Sequence, residues 1–168
     1  MNQSSYAMIG GQETLLQEVI AQLYLLAPLK FHWHVGGEFE QKIISDGTTS
    51  WLYEKDINQV IVQPLASLNL QDTPILLLSA DANEISRLFV VEHVLDQKKM
   101  SFRLTAKQPD QLLTSIELVF IDKVIDSMKV EDKLSNITVF TFTQVKLSDT
   151  LTDGLFEFVI PAGVDVVR

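Results

Sequence analysis

Hydrophobic and polar residues alternate along most of the chain in short runs that end at turn-forming residues. Strands of a half-buried sheet show this period of two, because successive side chains point to opposite faces. Turn signals such as Asp46-Gly47 and Asp153-Gly154 separate the runs. The pattern predicts about ten antiparallel strands in a meander. The predicted runs are Leu15–Leu26, Phe31–Val35, Gln41–Ser45, Thr49–Glu54, Gln59–Leu65, Arg87–Leu95, Met100–Ala106, Ser115–Ile121, Val124–Val130, Asn136–Leu147 and Leu155–Pro161.

Helical signals are confined to one short stretch. Thr73 and Pro74 supply a capping hydroxyl and a proline at the first helical position. The predicted helix runs through Ser79, and Asp81–Ile85 adds a second short turn. With so little helix, the strands must form a sandwich, a closed barrel or a strongly curved open sheet.

Aromatic residues collect on one face of several predicted strands. Phe31, Trp33 and Val35 alternate with His32 and His34, which therefore lie on the opposite face. In a sandwich, the aromatic side chains would fill a closed core. In a curved sheet they would line a cavity. Alternation within the strands favours a barrel or a curved sheet, but periodicity alone leaves the closed core open as an alternative.

Length and charge restrict the function. A chain of 168 residues without a linker-like stretch fits one domain over 15–168, preceded by a short segment over 1–14 that is disordered or exchanged with a neighbouring molecule. The net charge of −9 opposes binding to phosphate backbones, so we expect no nucleic-acid partner. The absence of cysteine excludes disulfides and thiol catalysis. No run of about 18 apolar residues and no export signal occurs, so we expect a chain that does not span a membrane and whose signal, if it is exported, has been removed.

Candidate catalytic and metal-binding residues are few. His32 and His34 lie two residues apart on one strand face and could share a metal, but the only other histidine is His93. Two solvent-facing strand histidines are the simpler interpretation. The segment Ser45–Ser50 is a hairpin turn rather than a nucleophile loop. We therefore expect no metal, no cofactor and no enzymatic activity.

Several short motifs follow one another in a specific order. Leu25–His34 combines a strand, a proline turn and a Phe-x-Trp strand, and Ile43–Tyr53 combines a Ser-Asp-Gly hairpin with an aromatic return strand. Further motifs are Asn58–Val60, Val62–Leu65, Asp72–Ser79, Phe102–Leu104 with Lys107, Ile116–Phe120, Leu155–Phe158 and Pro161–Val166. From Leu15 to Val167, this order resembles that of the LolA family of periplasmic outer-membrane lipoprotein carriers.

The resemblance implies a mainly β (α+β) fold, a strongly curved antiparallel half-barrel with a small helical lid and an apolar cavity between them. It also implies a function in the periplasm. The family takes a triacylated lipoprotein from an inner-membrane ATP-driven release complex and hands it to an outer-membrane receptor, without chemistry on the cargo. The resemblance places cavity or lid side chains at Leu23, Leu25, Phe31, Trp33, Ile43, Trp51, Tyr53, Ile75, Leu77, Leu78, Phe140, Phe156 and Phe158.

Two positions depart from the family pattern. Ala27 stands where the family commonly has an inward-pointing arginine that hydrogen-bonds the lid. The family also has an amphipathic helix and a first strand before the strand that corresponds to Leu15–Leu26, whereas only Met1–Gln12 precedes it here. A missing first strand and lid helix would expose a sheet edge and apolar cavity surface, so we expect self-association.

Three other functions remain as alternatives. An outer-membrane receptor of the same fold would be anchored through a lipidated cysteine, which this chain lacks. A soluble lipid-binding or lipid-sensing module that transfers no lipoprotein would need neither the arginine nor the N-terminal helix. A hydrolase with a lipid pocket would need a nucleophile constellation, which the sequence does not indicate.

Overall fold

The computed structural model describes residues 1–9, 12–68, 74–96, 99–108, 112–148 and 150–168. Within these ranges the chain is mainly β, as predicted, with twelve strands rather than about ten. The strands are β1 (Asn2–Ile9), β2 (Gln12–Leu26), β3 (Lys30–Val35), β4 (Gln41–Asp46), β5 (Thr49–Glu54), β6 (Gln59–Pro64), β7 (Phe89–Asp96), β8 (Lys99–Ala106), β9 (Leu113–Ile121), β10 (Val124–Asp132), β11 (Ile137–Thr141) and β12 (Asp165–Val167). One α-helix, α1 (Ala82–Leu88), and three 3₁₀ helices, Leu65–Ser67, Pro74–Leu78 and Asp153–Phe156, complete the described elements.

The strands hydrogen-bond in the order β12-β6-β5-β4-β3-β2-β1-β11-β10-β9-β8-β7. Every pair is antiparallel except β12 with β6, which is parallel. Strands β7 and β12 stand at the two ends of this order, so the described strands form an open sheet.

The chain packs as two compact units. Unit 1 contains Met1–Ile20 and Ala82–Leu147, and unit 2 contains Ala21–Asp81 and Ser148–Arg168. Strand β2 runs from the first unit into the second. A single domain over 15–168 stays a prediction.

Unit 1 has one apolar and one polar sheet face. In register, Arg103 pairs with Glu117, and Glu117 pairs with Lys129, so these three charged residues share a face. Arg103 thus points away from Phe102 and Leu104, as the alternation of β8 predicts. Helix α1 contacts β7, the strand that follows it. The buried core of unit 1 consists of Phe89, Leu104, Leu113, Ile116, Leu118, Met128, Val130 and Phe140.

The N-terminal segment corrects an expectation. Asn2–Ile9 forms β1 and pairs with both β2 and β11, whereas the sequence pattern predicts no first strand and a disordered or exchanged segment. Because Gln3, Ser4 and Ser5 are polar, the hydropathy pattern does not indicate a strand here. Their backbone groups nevertheless pair with β2 on one side and β11 on the other. Because β1 is an interior strand, the argument for self-association through a missing first strand no longer holds.

Two predicted strands also differ from the structure. Asp153–Phe156 is a 3₁₀ helix where a strand over Leu155–Pro161 was predicted, because the turn at Asp153 continues into a hydrogen bond from Leu155 N to the Thr152 carbonyl at 3.1 Å. Only Ile137–Thr141 of the predicted run Asn136–Leu147 is a strand.

The predicted helical stretch is present in two pieces. Pro74–Leu78 forms a 3₁₀ helix, and Ala82–Leu88 replaces the second short turn. The predicted cap at Thr73, and Asp72 before it, lie outside the described residues. No helix in the described ranges is long and apolar enough to cross a membrane.

Candidate functional site

The register of β2 to β6 in unit 2 assigns their side chains to two faces. Leu23 pairs with Trp33, and Trp33 pairs with Ile43. Ile43 pairs with Leu52, and Leu52 pairs with Ile61. Directly opposed residues of antiparallel strands project from the same side. These five residues form a central row on what we call the apolar face, and all five are half-buried.

A buried row and a polar row flank the central row. On the side of the β2–β3 turn, Phe31 and Ser45 are 0% exposed and pair with each other. Two residues further along β3, Val35 pairs with Gln41, which pairs with Glu54. Gln41 Nε2 donates a hydrogen bond to Glu54 Oε1 at 3.2 Å. The apolar face is thus buried at one end, apolar at its centre and polar at the other end.

The indole nitrogen of Trp33 has no partner in the part of the chain that the structure describes. Nε1 is shielded from solvent and makes no hydrogen bond there. Its cross-strand neighbours Leu23 and Ile43 are aliphatic and carry no side-chain acceptor. A buried donor without an acceptor is uncommon in folded proteins.

The 3₁₀ helix Pro74–Leu78 is tied to the β2–β3 turn. The Leu29 N–H donates to the Ser79 carbonyl at 3.2 Å, and Ser79 Oγ donates to the Leu76 carbonyl at 3.0 Å. Ala27 lies in the same turn and is exposed. The buried residues of the helix are Ile75, Leu76 and Leu77.

The second face of β2 to β6, here called the covered face, carries the C-terminal segment 150–168. Lys30 Nζ forms an ion pair with Asp153 Oδ1 at 2.7 Å. His32 Nδ1 donates a hydrogen bond to the Leu155 carbonyl at 2.9 Å. Lys30 holds the pKa of Asp153 below its usual value through this hydrogen bond and its charge. Burial lowers the pKa of His32, although the bond to Leu155 partly opposes this effect.

Apolar contacts and one strand pair also hold the C-terminal segment on the covered face. The 3₁₀ helix Asp153–Phe156 packs against β3 and β4, and Phe156 is 1% exposed. The rings of Tyr53 and Phe158 lie 5.6 Å apart. Asn58 Nδ2 donates to the Gly163 carbonyl at 2.7 Å, after which β12 pairs with β6. The chain's own C-terminal segment therefore occupies this face.

A charged cluster joins two turns at the polar end. Glu40 accepts from Lys42 Nζ at 2.7 Å and from Lys55 Nζ at 3.3 Å, and His34 Nε2 lies 3.2 Å from the same carboxylate. The Lys55 N–H also donates to the Glu40 carbonyl at 3.0 Å. The hydrogen bonds from Lys42 and Lys55, together with their charges, lower the pKa of Glu40 to about 2 although burial opposes the shift.

The Asp46-Gly47 hairpin forms as predicted. Asp46 Oδ1 accepts hydrogen bonds from Thr48 N at 2.7 Å, Thr48 Oγ1 at 2.8 Å and Thr49 N at 2.8 Å. Burial alone would raise the pKa of Asp46, but these bonds lower it overall. Ser45 Oγ accepts from Gly47 N at 3.1 Å, and Ser45 is 0% exposed. The serine is therefore part of the turn structure.

The histidine interpretation needs correction. His32 and His34 are half-buried rather than solvent-facing, because the C-terminal segment and Glu40 contact them. Their ring centroids lie 6.2 Å apart. The described residues contain no group of three or more His, Cys, Asp or Glu side chains that could hold a metal ion.

The structure divides the predicted site residues into four groups. The apolar face carries Leu23, Leu25, Phe31, Trp33 and Ile43. The covered face and the segment on it carry Trp51, Tyr53, Phe156 and Phe158. The 3₁₀ helix carries Ile75, Leu77 and Leu78. Phe140 lies in unit 1, where it pairs with Met128.

Sequence reasoning missed two residues of the central row. Leu52 and Ile61 lie on the apolar face because they pair, in turn, with Ile43 and with each other. Leu52 was hidden because Ser50 and Glu54, its neighbours on that face, are polar, whereas Trp51 and Tyr53 form the more apolar set on the same strand. Only the cross-strand register could have identified it.

Comparisons with known proteins identify the same family. The family model described as outer membrane lipoprotein carrier protein LolA matches residues 9–159. An outer-membrane lipoprotein carrier protein of Chromohalobacter salexigens is 35% identical over 159 residues, which cover 95% of this chain and 74% of that protein. A protein of the same name from Azotobacter vinelandii is 35% identical and covers 98% of this chain and 79% of its own.

A third relative and one solved structure were also found. The outer-membrane lipoprotein carrier protein of Hahella chejuensis is 36% identical over 92% of this chain and 74% of its own. A crystal structure of a LolA superfamily protein from Nitrosomonas europaea covers 94% of this chain and 88% of its own, with 15% identity and a TM-score of 0.46. Because the family model and the sequence relatives each cover most of this chain, it belongs to the outer membrane lipoprotein carrier protein family LolA.

Proposed function

We propose that this protein carries lipoproteins by holding their acyl chains against the apolar face of unit 2. The supporting observation is the central row formed by Leu23, Trp33, Ile43, Leu52 and Ile61, which is apolar and half-buried. The covered face cannot serve, because the C-terminal segment already lies on it. Family membership supports a lipoprotein as the cargo.

The chemistry of the apolar face suits a carrier. Exposing acyl chains to water costs about 0.8 kcal/mol per CH₂ group, so several long chains need an extended apolar surface. Contacts with leucine, isoleucine and tryptophan are largely non-directional. They can therefore accept chains of different lengths and release them to a slightly better site without breaking specific bonds.

The change from the buried end to the polar end of the apolar face would orient the cargo. Acyl chains would extend over the central row toward buried Phe31, and the glycerol and peptide part would face the row containing Gln41 and Glu54. The opposite orientation would place ester and amide groups among apolar side chains, where polar groups without partners are costly.

The 3₁₀ helix Pro74–Leu78 is our candidate for a lid. In the family pattern an arginine at the position of Ala27 would hydrogen-bond the lid. Here the Leu29 N–H donates to the Ser79 carbonyl from the same turn. A single backbone bond is a weaker connection than a charge-assisted arginine bond. We therefore propose that this lid opens more easily than one held by arginine.

We further propose the partners and the compartment that the family implies. The cargo would be a triacylated lipoprotein, received in the periplasm from an inner-membrane ATP-driven release complex and delivered to an outer-membrane receptor. The protein would act as a chaperone and not as an enzyme. A lipid-binding module of the same fold that does not transfer its ligand is the alternative, because Ala27 replaces the family's arginine.

Native mass spectrometry with a triacylated lipopeptide tests the proposal. We expect one lipopeptide per chain in the wild type and at least tenfold weaker binding in Ile43→Asp, since this change puts a charge in the central row. Leu134→Asp is the matched control, because Leu134 is 80% exposed in unit 1. Equal binding by both variants would contradict the site. Binding of phospholipid or fatty acid, but not of lipopeptide, would favour the lipid-binding module.

A further inference from the structure

We infer that the indole N–H of Trp33 recognises a fatty-acyl carbonyl of the cargo, an ester or amide oxygen. This inference rests on the proposed function and concerns the same apolar face. It adds a directional contact to a surface that is otherwise non-directional. An indole N–H can only donate a hydrogen bond, so the group that it recognises must be an acceptor, such as a carbonyl oxygen.

No described side chain of the apolar face accepts a hydrogen bond from this indole N–H in the structure. Trp33 Nε1 is shielded and has no partner among the described residues. The polar side chains nearest in register, Ser45 and Gln41, pair with the residues before and after it on its face. Ser45 Oγ accepts from Gly47 N, the Gln41 amide donates to Glu54, and neither side chain bonds Trp33 Nε1. A ligand carbonyl is therefore our candidate for the acceptor that Trp33 Nε1 lacks in the structure.

An unpartnered buried donor destabilises the state that contains it. Trp33 Nε1 is such a donor in the structure. A ligand carbonyl that reached Nε1 would remove this cost, so it would favour the loaded form over the empty one. A hydrocarbon chain alone could not do so.

The position of Trp33 suits this role. It lies between buried Phe31 on one side and the pair Val35 and Gln41 on the other. Each neighbour on β3 is two residues away, or about 7 Å. Tryptophan has an apolar body and a polar N–H, and it is enriched where an apolar region meets a polar one. A carbonyl held at Nε1 would therefore set the depth to which the acyl chains enter.

The test compares Trp33→Phe with the wild type for two ligands. One is a triacylated lipopeptide with ester and amide linkages, and the other is an analogue with ether and alkyl linkages, so that only the first carries acyl carbonyls. Calorimetry should show about tenfold weaker binding of the carbonyl ligand by the variant, which is about 1.4 kcal/mol. The affinity of the ether analogue should fall less than about twofold, because this ligand loses only contact area with the larger ring and no hydrogen bond. Equal losses for both ligands would overturn the inference and leave the carrier proposal intact.

A measurement on the unaltered protein gives a second test. The two tryptophans, Trp33 and Trp51, give two indole N–H signals in ¹⁵N-edited spectra. The carbonyl ligand should shift the Trp33 signal downfield more than the ether analogue does, with Trp51 of the covered face as the internal reference. An equal downfield shift with a diester phospholipid would support recognition of any acyl carbonyl. If the wild type binds neither lipopeptide, the proposed function and this inference both fail.

Discussion

Replacing Glu40 by glutamine should destabilise unit 2 by a predictable amount. Its carboxylate contacts Lys42 at 2.7 Å and Lys55 at 3.3 Å, and its pKa is about 2 in place of 4.5. At about 1.4 kcal/mol per pH unit, this difference corresponds to about 3.4 kcal/mol. The side chain of Lys55 is 54% exposed, so solvent screens part of the attraction. We therefore expect Glu40→Gln to lower the free energy of unfolding by about 1–2 kcal/mol at neutral pH.

The effect should depend on pH in a defined direction. Because the pKa of Glu40 is depressed in the folded state, its contribution is fully present above pH 4.5 and is lost as the pH falls toward 2. Thermal unfolding followed by circular dichroism at low ionic strength should show a melting temperature about 2–8 °C lower for the variant at pH 7. The difference should shrink below pH 4.5 and in high salt.

A matched variant in the same loop controls for the lost negative charge. Glu38 is exposed, and Glu38→Gln should change the melting temperature little. Equal melting temperatures for Glu40→Gln and the wild type at pH 7 would refute the reasoning. A difference that stayed constant down to pH 2.5 would refute it as well, since the carboxylate would then not be the cause.

Two further predictions concern the C-terminal segment on the covered face. Burial lowers the pKa of His32 below 6.5, the ordinary value for histidine. The contribution of the neutral imidazole to stability is therefore fully present above pH 6.5 and falls as the pH drops below 6.5. In His32→Gln, unfolding between pH 6.5 and 5 should become less pH-dependent, and an unchanged slope would contradict this assignment. Phe156 is 1% exposed, so Phe156→Ala should cost about 3–5 kcal/mol in urea unfolding, whereas a loss below about 1 kcal/mol would show that the segment is not packed there.

Alternation along the sequence was sufficient where one strand has a clear apolar side. Phe31 and Trp33 share a face opposite His32, as predicted, because successive side chains of a strand point to opposite sides. The Asp46-Gly47 turn was equally local, since a carboxylate and a glycine with φ of 97° satisfy the hairpin without help from distant residues. These features depend on neighbours in sequence, so the sequence by itself determined them.

Register and long-range packing decided the remainder. On β5, alternation alone favours Trp51 and Tyr53, but pairing with Ile43 assigns Leu52 to the apolar face. The strand-like pattern of Phe156 and Phe158 belongs instead to a segment that packs across β3 and β4, more than a hundred residues away in sequence. Each side of a strand can be apolar for a different reason, and only the tertiary structure determines which side the C-terminal segment covers and which side carries the central row.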